Sequence, residues 1–120
     1  MKIDRAAVYE KYDGHCAYCG RKIEYKDMQV DHMIPQVTFY EKVEIGDVND
    51  MSNLMPACRQ CNHYKRANSI EIFRKMISEI PKKLDRDSYI YRVGEIYGFY
   101  DSRPKDVTFY YEAAEYEGDV

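Results

Sequence analysis

The chain has 120 residues, 45% hydrophobic and 32% charged, which excludes a wholly disordered polymer and suits one domain of ordinary size. Eighteen basic against 21 acidic residues give a net charge of −3 and a pI near 5.6, which taken globally argues against a nucleic-acid binder. No apolar run approaches the ~20 residues of a membrane span, and Met1 to Arg5 lacks the apolar stretch of a signal peptide, so the sequence reads as cytoplasmic with no membrane partner.

In chain order, Asp4 is the expected N-cap of a first helix over about residues 5–12, with Gly14 ending it. Ile3 and Val8 are spaced as a hydrophobic staple across that cap. His15 to Gly20 is too short and too cysteine-rich for a regular element. Residues 28–32 alternate apolar and polar, which predicts a short strand. A polar loop through Gly46, Asp47, Asn49 and Asp50 leads to a second strand over Leu54 to Ala57, with Pro56 at an edge or bulge. A short helix follows from Arg59 to about Lys65. Ser69 caps the next, whose stripe of Phe73, Met76, Ile77, Ile80 and Leu84 is expected core, ended or kinked at Pro81. Ser88 to Tyr97 predicts a further helix with Tyr89, Val93, Ile96 and Tyr97 on one face and Gly98 after it. Val107 to Glu112 reads as a terminal strand, and the acidic tail 113–120 as frayed.

The charge is segregated. Residues 1–56 carry a net −3, residues 57–86 a net +5 and residues 87–120 a net −5. The positive block is able to face phosphate whatever the total charge.

All four cysteines fall in two Cys-x-x-Cys pairs, Cys16/Cys19 and Cys58/Cys61, separated by 38 residues. Two such pairs supply the four thiolates of a tetrahedral structural Zn²⁺ site, and none is left over for a disulfide in a reducing compartment. Cys16-Ala17-Tyr18-Cys19-Gly20 has the form of a knuckle, where glycine permits the backbone twist. Cys58 and Cys61 open a helix, where the helix N-terminus and Arg59 are expected to favour thiolate.

Between the pairs lie Asp31-His32 at the end of the first strand, Asn53 before the second, and Asn62 just after the last cysteine. Asp31 and the Asn62 amide offer hard oxygen ligands suited to Mg²⁺, and imidazole is the side chain suited to deprotonating water near neutral pH. Alone, His32 would read as a structural histidine. Lys65, Arg66, Arg59 and Arg21 are candidate phosphate contacts, with an ordinary solvated face as the plainer account.

The ordered set resembles the HNH nucleases, also described as the ββα-metal or His-Me finger group, in their zinc-containing branch. His32, Asn53 and Asn62 carry the pattern, with asparagine in place of the final histidine, over about residues 14–70. The resemblance implies an α+β fold: a zinc-anchored, treble-clef-like ββα-metal core (about 14–70), a helical and strand extension (about 71–112) and the acidic tail, in one domain. It implies His32 as general base, Asn53 as the residue fixing the base's loop, and Asp31 and Asn62 as ligands of a catalytic Mg²⁺ or Mn²⁺. The implied function is a metal-dependent endonuclease that hydrolyses DNA phosphodiester bonds, nicking one strand per active site. The competing reading is an inactive zinc module of the same fold that binds nucleic acid or protein. The C-terminal region is the surface assigned to a protein partner or a dimer.

Overall fold

A computed structural model describes residues 3–35, 48–103 and 105–118 of the chain. Gly46 and Asp47 of the expected polar loop lie outside the described residues. The architecture is α+β, in two compact units: Met1–Ile70 with Thr108–Val120, and Glu71–Val107. The segment from Thr108 belongs to the first unit, whereas the sequence predicts one continuous extension over about residues 71–112.

The first unit opens with α1 (Arg5–Glu10), capped by Asp4, whose Oδ1 accepts from Ala7 N at 3.1 Å. Such a cap contributes about 1 kcal/mol. The helix ends at Glu10 with Lys11 as its C-cap, two residues short of the expected end, and the turn that follows carries two residues at positive φ, Asp13 (+52°) and Gly14 (+77°). Val8 turns inward onto Met28 and Leu54, all three buried, with Ile3 packed beside them as the staple requires. Burying a Val or Leu side chain contributes ~1.5–3 kcal/mol, so this small cluster holds α1 to the sheet. Lys11 adds polar ties, donating from Nζ to Met51 O at 2.8 Å and Leu54 O at 2.9 Å.

β1 (Gln29–His32) and β2 (Leu54–Ala57) form, among the described residues, a two-stranded antiparallel sheet. The register places Asp31 opposite Met55 and His32 opposite Leu54. Pro56 lies opposite Val30, and its carbonyl accepts from Ala17 N at 2.8 Å, outside the sheet. In two strands every position is an edge, so proline is tolerated. α2 (Arg59–Lys65) follows β2 directly and packs on β1. The order β1, β2, α2 brings the strand end at His32 and the helix side chain of Asn62 to one place.

The C-terminal segment of this unit corrects the sequence reading. Val107 to Glu112 does not form a strand. Instead α6 (Tyr110–Gly118) begins within it. Glu112 Oε1 accepts from Phe109 N at 2.9 Å, one half of a capping box. The N–H groups of Tyr110 and Tyr111 donate to Tyr18 O (3.1 Å) and Ala17 O (2.8 Å), so the segment docks on the knuckle.

The second unit contains α4 (Ile80–Asp87), α5 (Tyr89–Ile96) and most of α3 (Ile70–Ser78). Pro81 does not kink one long helix. It sits in the first turn of α4, where a missing N–H costs nothing. Ser88 caps α5, accepting from Tyr91 N at 3.1 Å. Of the stripe expected as core, only Phe73 is fully buried and Leu84 is exposed. The expected α5 face also stays largely open, with Tyr89 at 75% and Ile96 at 81% exposure.

Candidate active site and cysteine metal centre

The knuckle is built by backbone bonds. Cys16 N donates to Arg21 O at 2.8 Å and Gly20 N to Cys16 O at 3.0 Å, closing the turn around Cys19. Gly20 takes φ +81°, and a Cβ there would fall 2.8 Å from the Tyr110 ring, so glycine is required on two counts. Cys58 is the N-cap of α2, its sulfur accepting from Cys61 N at 3.4 Å. The four sulfurs lie within 4.8 Å of one another, with Cys19 and Cys58 at 3.8 Å. Four cysteines from two ends of the unit are thus positioned to hold a metal ion.

The cation that serves these sulfurs is Arg21, not Arg59 as expected. Arg21 donates to Cys19 Sγ at 3.4 Å, Cys58 Sγ at 3.1 Å and Gln60 Oε1 at 2.6 Å. These contacts raise its own already high pKa. The Cys16 thiol is held down to about 4, chiefly by its hydrogen bond with Cys61, while the same bond pushes Cys61 up. Arg59 and Arg21 line one groove of about 640 Å³ together with Lys22 and Lys26.

A separate cleft of about 320 Å³ gathers Asp31, His32, Asn62 and Arg66, with Pro35 at its side. Alternation along β1 would send Asp31 and His32 to opposite faces, yet both line this cleft because the strand ends at His32. Asp31 is buried, and its Oδ2 takes two donors: Tyr18 Oη at 2.5 Å and Lys65 Nζ at 3.1 Å. Burial first, and the Asp31 charge second, push the Tyr18 pKa well up, so its hydroxyl keeps its proton. His32 Nε2 lies 2.7 Å from Asn49 Oδ1. Asn62 donates from Nδ2 to Gln29 Oε1 at 2.6 Å, which leaves the amide oxygen as its acceptor.

Asn53 stands behind the cleft, buried, and its side chain bonds both arms of the chain around residues 34 and 48. Oδ1 accepts from Ile34 N at 2.7 Å, and Nδ2 donates to Ile34 O (3.1 Å) and Val48 O (2.9 Å). Its carbonyl accepts from Met33 N at 2.9 Å. The residue following His32 is therefore pinned through Asn53.

Lys65 departs from expectation. A candidate phosphate contact by sequence, it is fully buried, bonded to Asp31 and to His32 O at 3.1 Å. Its inward aim follows from α2 lying on β1. Arg66, one residue on, is exposed at the cleft with φ +54°. Sequence reasoning missed Tyr18, Gln29 and Asn49, the partners of Asp31, Asn62 and His32. Only Asn49 carried a signal, as a polar residue in the loop before the second strand.

Residues 16–68 match the family model of the HNH endonucleases. A 69-residue stretch, 58% of the chain, is 29% identical to 6% of the CRISPR-associated endonuclease Cas9 of Corynebacterium diphtheriae. A 61-residue stretch, half of the chain, is 36% identical to 26% of the SPbeta prophage-derived putative HNH endonuclease YoqL of Bacillus subtilis. Among solved structures, the type II-C Cas9 enzyme of Actinomyces naeslundii shares the fold with a TM-score of 0.50 at 23% identity. That likeness covers 87% of the chain and 10% of the larger protein. The chain therefore corresponds to a small part of each relative. No helix among the described residues is long and apolar enough to cross a membrane.

Proposed function

We propose, from the match of residues 16–68 to the family model of the HNH endonucleases, that this protein is a metal-dependent endonuclease nicking DNA one strand at a time. The observation that carries the reading is the single cleft in which Asp31, His32, Asn62 and Arg66 meet. No binding module needs a base, two oxygen ligands and a cation around one phosphate-sized space.

His32 is the general base. With Asn49 Oδ1 accepting from Nε2–H, the lone pair resides on Nδ1, which takes a proton from the attacking water. As the water oxygen bonds to phosphorus, the bond to the 3′-oxygen breaks and the leaving alkoxide takes a proton from solvent. Asn53 holds the loop that keeps His32 in line. Asp31 Oδ1 and Asn62 Oδ1, whose companion atoms are already engaged, are the oxygens that would hold Mg²⁺ or Mn²⁺. An ion bound there supplies positive charge to the phosphate and the leaving oxygen. Arg66 neutralises phosphate at the cleft, and Arg21 and Arg59 contact the strand further along. Lys65 has no such role.

The cysteine centre is read as structural Zn²⁺. Zinc–sulfur bonds of about 2.3 Å give a tetrahedral edge of about 3.8 Å. The separation of Cys19 from Cys58 matches that edge. Four thiols reserved for metal suit a reducing cytoplasm. One cleft per chain cuts one strand, so a double-strand break takes a second copy or a second encounter.

Incubating purified protein with supercoiled plasmid and Mg²⁺, Mn²⁺ or chelator tests the reading. Open-circular DNA should form with the ions and not with chelator or with His32→Ala. Plasmid left intact with every ion, or undiminished nicking by His32→Ala, would overturn it.

A further inference from the structure

We infer that Tyr18 is a positioning residue for the cleft: by occupying Asp31 Oδ2 together with Lys65, it turns Oδ1 toward the divalent ion. This rests on the reading of Asp31 as an ion ligand. Tyr18 lies inside the Cys16–Cys19 knuckle, so the inference joins the cysteine centre to the catalytic cleft through a single hydroxyl.

The torsion that swings a carboxylate about its Cβ–Cγ bond is broad, and one donor does not fix it. Two donors converging on the same oxygen do. Tyr18 Oη stands 2.5 Å and Lys65 Nζ 3.1 Å from Oδ2, the first from the knuckle and the second from α2. Both side chains are buried, so water does not replace either donor. Ligand carboxylates are oriented in this way by partners outside the metal's own ligand set, whose removal typically costs about 10–100-fold in metal affinity.

Tyr18 is itself held on two sides. Ala17 N donates to Pro56 O at 2.8 Å, one residue from the Met55 that faces Asp31 across the sheet. Behind the ring, Phe109 and Tyr111 stand edge-on with centroids at 5.5 and 6.2 Å. The backbone bonds from Tyr110 and Tyr111 clamp the knuckle to the C-terminal segment. That segment, beyond the residues matched by the family model, thereby supports the cleft through Tyr18.

The test uses the full chain with zinc bound. Mn²⁺ is titrated into wild type and Tyr18→Phe, and free Mn²⁺ is read by electron paramagnetic resonance. Tyr18→Phe keeps the ring and should retain its circular dichroism and zinc content. Its Mn²⁺ dissociation constant should nevertheless rise on the order of 10-fold. The Mn²⁺ concentration for half-maximal nicking should rise by the same factor, with DNA affinity unchanged. Tyr110→Phe, on the same clamp, should leave Mn²⁺ affinity as it is. Equal Mn²⁺ affinity in folded Tyr18→Phe and wild type would overturn the inference alone. A wild type that binds no Mn²⁺ would remove both the inference and the reading beneath it. Should Tyr18→Phe fail to fold, wild-type proton NMR decides. A slowly exchanging Tyr18 hydroxyl that shifts on addition of Mg²⁺ supports the inference, and one that does not respond overturns it.

Discussion

Lys65 places its ammonium 3.1 Å from the Asp31 carboxylate with no surface of its own exposed to solvent. The pair joins α2 to β1 from inside, and its third member is a backbone oxygen, that of His32 at 3.1 Å. One buried cation therefore contacts both the carboxylate of the cleft and the backbone of the proposed base.

Removing one partner of a buried pair leaves the other charge uncompensated, at a cost of ~3–5 kcal/mol. Lys65→Met should fall near the lower end, about 3 kcal/mol, because Tyr18 still donates to Asp31. Asp31→Asn in the same background should recover part of the loss by removing the stranded charge. Urea unfolding of the zinc-bound variants measures both. A loss under about 1 kcal/mol, the range of an exposed pair, would show that Lys65 is solvated.

Arg66 carries a prediction with two signs. A non-glycine residue at φ +54° and ψ −141° lies in a sparsely populated region that costs about 1–3 kcal/mol, and Arg66 bears that strain at the cleft. Arg66→Gly should therefore raise folding stability while weakening DNA binding. The slope of log affinity against log salt should become shallower by about one, the effect of one lost phosphate contact. Salt titrations by fluorescence anisotropy, beside unfolding curves, check the pair of effects. A slope that does not change would take Arg66 off the phosphate.

Much of the first unit is legible in the sequence because its signals are local. The Asp4 cap, the place of β1 and the start of α2 at Cys58 each follow from neighbours a few residues apart, although the buried residue of β1 is polar Asp31 and not Val30. The cysteine frame and the trio Asp31, His32 and Asn62 are legible as residue types at fixed spacing. Their hydrogen-bond partners are not. Tyr18 meets Asp31, and Gln29 meets Asn62, only through the packing of the knuckle and α2 on β1, which no local pattern encodes. Lys65 misleads for a related reason. Lysine is rarely buried unless paired, so composition counts it as surface. The C-terminal strand fails because Val-Thr-Phe-Tyr-Tyr has high β propensity. Docking on the knuckle and the Glu112 bond to Phe109 N override that propensity. With phenylalanine at the cap, the usual Ser/Thr signature of a helix start is missing.

Asn53 should also be needed for the rate, through geometry and not chemistry. Asn53→Ala strands the Ile34 N–H and two carbonyls. An unmet buried polar group costs ~1–3 kcal/mol, so a total near 2–3 kcal/mol is expected after relaxation. Nicking should fall at least 10-fold in protein that is still folded, as the loop after His32 loosens. Asn53→Asp keeps one acceptor but sets a carboxylate against Ile34 O and Val48 O, and should not rescue the rate. His32→Ala should lose ~10²–10⁴ in rate with stability nearly unchanged. Initial nicking rates at saturating metal, measured beside melting curves, separate the two behaviours.

The cysteine centre should decide whether the first unit folds at all. Its apolar cluster of buried residues is small, centred on Val8, Met28 and Leu54, and lies on the α1 side of the sheet. The knuckle is joined to α2 by sulfurs from pairs that lie 38 residues apart in sequence. In a domain this small, metal binding energy is folding energy, ~10–16 kcal/mol in zinc-finger peptides. Elemental analysis of reduced protein should find one zinc per chain. A chelator strong enough to remove it should abolish the cooperative melting transition, and Cys58→Ala should not fold. Cys58 is the critical choice because it is at once ligand, helix N-cap and acceptor from Arg21. Arg21→Ala should instead leave a folded protein that releases zinc faster, since no ligand is lost but only an exposed donor to two sulfurs and to Gln60. A folded, reduced chain without zinc would remove the metal from this part of the structure. The knuckle would then have to be held by the backbone bonds to Pro56, Tyr110 and Tyr111 and by the contacts of Tyr18 with Asp31, Phe109 and Tyr111.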